Sequence, residues 1–380
     1  MTDEFPRFKA AAVQAAPVFL DKKGTVDKAC RLIKEAAQGG AQLIVFPEAY
    51  IPTYPYWTSD LTARWVYVWR ELFQNAVEIP GPETDALGEA ARKADAYVVI
   101  GLNEREPAYS GTLYNTMVFI DRQGKIMGKH RKLVPTFHER LYWGRGDGSG
   151  IKVFDTEYGR LGGLICYEHQ MTLLKYAMFA KGEQIHCALW PGWPGRPRYT
   201  IKDQLDVACR QYAFEGQVFV IVASSYIRED QVPEDFPYKK STDWSSFGGS
   251  GIISPLGAYL AGPEYDKETI VYAEVDMGLI PLAKATVDVM GHYARWDILS
   301  LNLNEEPQVP CKPMPREASA TPLEHSELRA ALADLAARVN QLPCGEILQQ
   351  LRELTARLEA QLDLKPQGGR RKTRASRQRR

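Results

Sequence analysis

Short apolar runs alternate with amphipathic stretches along most of this chain. Lys9–Gln14, Leu43–Phe46, Ala96–Leu102, Leu161–Cys166, His186–Trp190 and Val218–Ser224 read as strands. Between them, Val26–Ala37 places Ala29, Leu32, Ile33 and Ala36 at helical spacing, which predicts a helix with one buried face. Ala63–Ala76, Thr84–Ala94, Met171–Ala180 and Thr200–Glu215 predict four more helices. Tyr114–Asp121 and Lys125–His130 predict a hairpin around Gln123-Gly124. Gly251–Ser254 and Ala258–Ala261 predict another around Pro255-Leu256-Gly257, and Ile270–Val275 a last strand. Strands that alternate with helices predict an α/β fold.

The pattern changes after residue 305. Proline-rich Glu306–Pro315 looks like a linker or an extended arm. Leu328, Leu332, Leu335, Val339 and Leu342 then recur at helical spacing, and Ile347, Leu351, Leu354 and Leu358 repeat the rhythm after Pro343-Cys344-Gly345. Two amphipathic helices joined by a Pro/Gly break are expected, each needing a partner surface. The expected division is a catalytic domain over 1–305, an arm and helical hairpin over 306–363, and a basic tail over 364–380.

Charge sharpens that division. The chain balances 47 basic against 47 acidic residues, yet residues 365–380 hold eight basic and no acidic ones. The remainder therefore carries a net charge of −8. Such a tail can contact nucleic acid non-specifically, but a subunit contact or no specific role is the better reading. Hydrophobic content is ordinary at 45%, no run reaches the ~18 apolar residues of a membrane span, and the acidic N-terminus lacks an apolar signal region. Six cysteines and six histidines show neither disulfide nor zinc spacing, which fits a reduced, cytoplasmic setting.

Candidate chemistry centres on Cys166, in Gly162-Gly163-Leu164-Ile165-Cys166-Tyr167-Glu168-His169. A cysteine between a strand and a helix is expected to be exposed at the elbow tip and to feel the helix N-terminus, both of which favour a thiolate. His169 invites a Cys–His dyad, although packing is the plainer role. Glu48 closes the strand in Phe46-Pro47-Glu48, and Lys132 follows the extended stretch that ends in Arg131-Lys132-Leu133. Three strand ends can aim a carboxylate, an amine and a thiol at one spot, at the sheet edge where ligands bind in open α/β folds. Taken singly, each has a blander reading: Glu48 as a solvated loop acid, Lys132 as part of a basic hairpin, Cys166 as a small buried residue.

Taken together and in order, these motifs resemble the Glu–Lys–Cys signature of the nitrilase superfamily. The resemblance covers about residues 7–305. It includes Val13-Gln14, Leu113-Tyr114-Asn115-Thr116, His138-Glu139-Arg140, Trp143-Gly144-Arg145-Gly146-Asp147-Gly148, Trp190-Pro191-Gly192 and Gly291-His292-Tyr293-Ala294-Arg295. Glu139 looks like the family's second glutamate; its plainer role is to pair with Arg140 or Arg145. The His-Glu-Arg and Trp-Gly boxes resemble the true nitrilase branch. Tyr167 departs from the tryptophan usual there, a change that bears on pocket shape. The resemblance implies a four-layer αββα sandwich, here with a C-terminal helical extension, and a homodimer that extends into a spiral or filament. It implies no cofactor and no metal.

The chemistry implied is hydrolysis of an organic nitrile to acid and ammonia. Cys166 would attack, Glu48 would accept the thiol proton and later activate water, and Lys132 would donate or stabilise charge beside Glu139. The aromatic run Tyr50–Trp57, with Tyr54 and Trp57, is one candidate pocket wall; Thr136, Tyr167 and Trp190 supply others. The alternatives are a cyanide hydratase or dihydratase, an aliphatic amidase using the same residues, or a non-catalytic assembly scaffold that works through its basic tail.

Overall fold

The computed structural model describes residues 5–57, 64–108, 111–193, 201–244, 246–309 and 311, with scattered helical positions between 329 and 356. The chain divides into two compact units, Met1–Gln308 and Val309–Arg380. In the second, the described positions 329–330, 332–334, 337, 349, 352–353 and 356 are helical. The proposed basic tail and most of the two leucine repeats lie outside the described residues.

The first unit holds two six-stranded sheets. One runs β12 (Thr269–Asp276), β1 (Arg7–Gln14), β2 (Leu43–Val45), β3 (Tyr97–Arg105), β4 (Leu113–Ile120), β5 (Ile126–Arg131). The other runs β11 (Tyr259–Tyr265), β10 (Gly248–Ile253), β9 (Phe219–Ser224), β8 (Ile185–Trp190), β7 (Gly159–Ile165), β6 (Phe154–Thr156). Each sheet has three parallel strands at its centre, β1–β2–β3 and β7–β8–β9, flanked by antiparallel ones. The two halves thus repeat one plan.

Strand alternation places the layers. On β1, Ala10 and Ala12 join Val45, Val99 and Met117 against Leu164, Val220 and Val222 of the second sheet. Their neighbours Ala11 and Val13 face the other way, onto Ala29, Ile33 and Ala36 of α1 (Lys22–Gln38) and Leu87 and Ala91 of α3 (Pro82–Ala94). Period-two alternation thus gives β1 a sheet partner on one face and helices on the other. On the far side, α4 (Thr172–Ala180) and α5 (Ile201–Gly216) cover the second sheet with Leu174, Ala177, Leu205 and Tyr212. The result is the expected αββα sandwich. Buried Gln14 stitches the sheets, its Oε1 accepting from Ser250 N at 2.8 Å.

The strands and helices read from the sequence fall within a few residues of these ranges; α2 (Arg64–Gln74) completes the set. The predicted starts Ala63 and Thr200 lie outside the described residues. The reading omitted β6 and α6 (Leu279–Lys284), which are too short to show a period. It also missed a 3-10 turn, Cys166–Gln170, wedged between β7 and α4.

Candidate active site

Topology brings three strand ends to one place. Two antiparallel pairings return β5 to the direction of β2 and β3, so Glu48, just beyond β2, and Lys132, just beyond β5, emerge at the same edge. Cys166 follows β7 in the facing sheet. Glu48 N donates to Trp190 O at 3.3 Å, joining the two sheets at that edge.

Lys132 is the hub. Its Nζ lies 2.8 Å from Glu48 Oε1, and 2.9 and 2.7 Å from the two oxygens of Glu139. All three side chains are essentially inaccessible. Oxygens of Glu48 and Glu139 and the Cys166 sulfur lie within 4.8 Å of one another. Three such donors are of the kind that hold a metal ion. Here the charge between the carboxylates is already met by the Lys132 ammonium, and a cation beside it would be repelled.

Each group is held by others. Glu48 Oε1 also accepts from Asn115 Nδ2 at 2.6 Å, while Lys132 N donates to Asn115 O at 2.8 Å. Asn115 therefore holds both the Glu48 carboxylate and the Lys132 backbone, a part the sequence reading left unassigned within its Leu-Tyr-Asn-Thr motif. Glu139 accepts from Tyr54 Oη at 2.9 Å and from Thr136 N at 2.7 Å. Tyr54 and Thr136, expected as pocket walls, thus reach the carboxylate partner of Lys132. His138 Nε2 lies 3.2 Å from Tyr54 Oη; since that hydroxyl spends its proton on Glu139, the imidazole donates. Tyr167 packs edge-on against Trp190 at 5.5 Å, and its hydroxyl donates to Gln204 of α5 at 2.6 Å. Trp57 packs with Phe19, Tyr142 and Phe236 in an aromatic cluster.

Two expectations about Cys166 are corrected. The elbow is covered, leaving the residue 3% exposed, in a left-handed backbone conformation with φ of 55°. The thiol is not poised as a free thiolate. Burial first, then the Glu48 and Glu139 charges, raise its pKa well above the usual value, against the pull of Lys132 and of the Tyr167 backbone N–H. The helix-dipole argument fails because the five-residue 3-10 turn stands between the sulfur and α4. The Cys–His dyad is also absent: His169 Nδ1 lies 2.6 Å from the Cys166 carbonyl oxygen, not on the sulfur.

The charges divide the labour. Burial pushes Glu48 up to about 7, with Lys132 pulling it back and Glu139 adding to the rise. Burial works against the Lys132 ammonium, but Glu139, Glu48 and Cys166 outweigh it and hold Lys132 well above its ordinary value. The site thus holds a permanent cation, a carboxylate that titrates near neutrality and a protonated thiol. Buried Glu48 Oε2 has no hydrogen-bond partner among the described residues, so that carboxylate keeps one open acceptor. A second pair braces the turn. Glu168 accepts from Ile165 N, Leu133 N and His130 Nε2 at 2.9, 2.8 and 2.9 Å, linking β5 to the Cys166 turn.

The family model for carbon-nitrogen hydrolases matches residues 9–285. The chain is 42% identical to the bifunctional nitrilase/nitrile hydratase NIT4B of Nicotiana tabacum, over 78% of this chain and 86% of that one. It is 40% identical to an aliphatic nitrilase of Rhodococcus rhodochrous, over 80% and 84%. The crystal structure of a carbon-nitrogen hydrolase from Helicobacter pylori superposes with a TM-score of 0.63 at 21% identity, covering 77% of this chain and 97% of that one, and shows the shared fold. The chain belongs to the carbon-nitrogen hydrolase family, on its nitrilase branch.

Proposed function

We propose that this protein hydrolyses an organic nitrile to the carboxylic acid and ammonia through covalent intermediates on Cys166. One observation carries the reading: a buried thiol beside a carboxylate with a free acceptor oxygen and an ammonium fixed between two carboxylates. Glu48 takes the thiol proton as sulfur attacks the nitrile carbon. The nitrile nitrogen gains that proton, giving a thioimidate. Lys132 and the Tyr167 N–H face the charge that develops. Water, deprotonated by Glu48, adds to the thioimidate carbon; the C–N bond breaks and ammonia leaves. A second water cleaves the thioester and restores the thiol. If the tetrahedral intermediate expels sulfur instead, the product is the amide. The relatives carrying nitrilase and nitrile hydratase in their names support both exits.

The test is ammonia release from potassium cyanide, an aliphatic nitrile, an arylacetonitrile, an aromatic nitrile and the matching amides, with rapid-quench mass spectrometry of the protein. Release from organic nitriles with an acyl adduct on Cys166 is expected. Release from cyanide alone, or from amides alone, overturns the organic-nitrile assignment.

The pH profile follows from Glu48. A base must be unprotonated, and burial places this one at about 7. Below that pH, kcat/KM should fall about tenfold per unit, and just above it level off before the alkaline limb argued below begins. A flat profile between pH 5 and 7 would remove Glu48 as the base.

Assembly and location complete the reading. Thr53–Asn75, Asp230–Ser246 and the 306–380 extension are the segments proposed to build a homodimer into a spiral or filament. Deleting 306–380 should shrink the particle more than it lowers turnover per site; equal masses on size-exclusion chromatography would sink that idea. Cytoplasmic residence is supported by the free thiols of Cys30, Cys166, Cys187, Cys209 and Cys311. Among the described residues, no helix is long and apolar enough to cross a membrane.

A further inference from the structure

Behind the nucleophile turn runs a buried row of polar side chains that the mechanism above does not use. His169 Nδ1 lies 2.6 Å from the Cys166 carbonyl oxygen, and its Nε2 lies 2.9 Å from His186 Nε2. His186 Nδ1 lies 2.8 Å from Glu183 Oε1, and Tyr212 Oη donates to Glu183 Oε2 at 2.5 Å. Glu183, His186, His169 and Tyr212 are all buried. Space has been made for the row. A Cβ at Gly162 would stand 2.2 Å from Glu183 Oε1, so the first glycine of the Gly-Gly pair before Cys166 admits the carboxyl group.

The donors and acceptors can be counted. A carbonyl oxygen only accepts, so His169 Nδ1 carries a proton. The contact between His169 and His186 needs one proton between two nitrogens. The contact between His186 and Glu183 needs one more. A carboxylate with two neutral imidazoles supplies only two protons for these three contacts, so the row holds one extra.

We propose that Glu183, His186 and His169 form a one-way hydrogen-bond chain with a trapped proton, which positions the strained Cys166 turn through its carbonyl oxygen. Loss of that proton at alkaline pH breaks a link of the chain and loosens the nucleophile. The proton rests on Glu183. Burial pushes that carboxyl up to about 8, while it lowers His169 to about 3 and His186 well below its ordinary value. His186 and Glu183 are therefore a neutral hydrogen-bonded pair, although their distance alone would suit an ion pair. The other ionisable groups acting on the row are Tyr212 and Glu215 of α5, Lys175 of α4, Cys187 of β8 and the Glu168–His130 pair. Lys175 is held by Glu215 at 2.5 Å; Tyr212 and Cys187 are raised further by burial, so they stay protonated. His130 is also raised, but substitution at Glu183 leaves it in place.

The positioning role rests on Cys166 being the nucleophile; the proton count does not. The experiment is magic-angle-spinning NMR of full-length protein labelled with 15N-histidine and 13C-carbonyl cysteine. At pH 7, His169 should be protonated on Nδ1 and His186 on Nε2, and the Cys166 carbonyl shift should move as pH rises through about 8. A His169 protonated on Nε2 alone would overturn the chain. The pH profile of ammonia release from the most rapidly hydrolysed nitrile of the panel tests the positioning. The wild type should lose about tenfold in kcat/KM per unit above the chain's titration. Glu183→Gln, which donates to His186 without an ionisable proton, should abolish that alkaline fall, and Glu183→Ala should lower kcat even at pH 7. An alkaline limb unchanged in Glu183→Gln would overturn the positioning role while leaving nitrile hydrolysis intact. If no nitrile releases ammonia, the functional reading falls, and the NMR still decides the chain.

Discussion

Cys166→Ala should abolish ammonia release from every nitrile, by at least about 10⁴-fold in kcat, while leaving the protein folded. The loss is large because the groups around the sulfur act as a unit. With no sulfur there is no nucleophile to attack the nitrile carbon, and Lys132 and the Tyr167 N–H are aimed at charge that never forms. The structural cost is small. The residue is 3% exposed, and alanine suffers the φ of 55° no more than cysteine does. Removing one buried sulfur costs about 1 kcal/mol, or about 1–2 °C of melting temperature at this chain length. A melting curve beside the ammonia assay separates lost chemistry from lost fold. Turnover within tenfold of wild type would move the nucleophile elsewhere.

The second large effect falls on stability as well as rate. Lys132→Met should remove turnover and cost ~3–5 kcal/mol, because it strands two buried carboxylates that share one ammonium. The pH dependence identifies the cause. Without the ammonium, oxygens of Glu48 and Glu139 within 4.8 Å cannot both stay charged, so one binds a proton in the folded state. Its folded pKa then stands above the unfolded value. The stability tied to that proton is complete below about 4.3, the unfolded glutamate value, and is lost as pH rises toward the folded pKa. The melting deficit against wild type should therefore be small near pH 5 and wide near pH 8. A deficit independent of pH would mean that lost packing, not stranded charge, sets the cost.

Much of the fold was legible because its strands are short apolar runs and its first helix keeps a clean period. β6 and α6 were not, since three and six residues are too few to show one. The four central side chains were legible as an ordered set of motifs, and the structure gathers them around Lys132. What escaped were the groups that hold them. Asn115 lies 67 residues from its Glu48 contact and Tyr54 lies 85 from Glu139, separations at which no local pattern survives. The row from Glu183 to His169 escaped for a related reason: two histidines and a glutamate spread over a turn, a strand and the loop before it read as ordinary packing until their donors are counted. The exposed thiolate was an error of a different kind. An elbow looks open in a linear reading, and only the packed sandwich shows what lies over it.

Glu48 and Lys132 leave one sheet, and Cys166 leaves the other. Neither half of the sandwich owns a complete reaction. A chain still being synthesised carries Glu48 and Lys132 before Cys166 has been made, and Cys166 before the second sheet has closed. An incompletely folded molecule therefore carries a cysteine with neither the carboxylates nor the ammonium gathered beside it. The proposed reaction belongs to the seam between the sheets, so the appearance of turnover should report that the seam has shut.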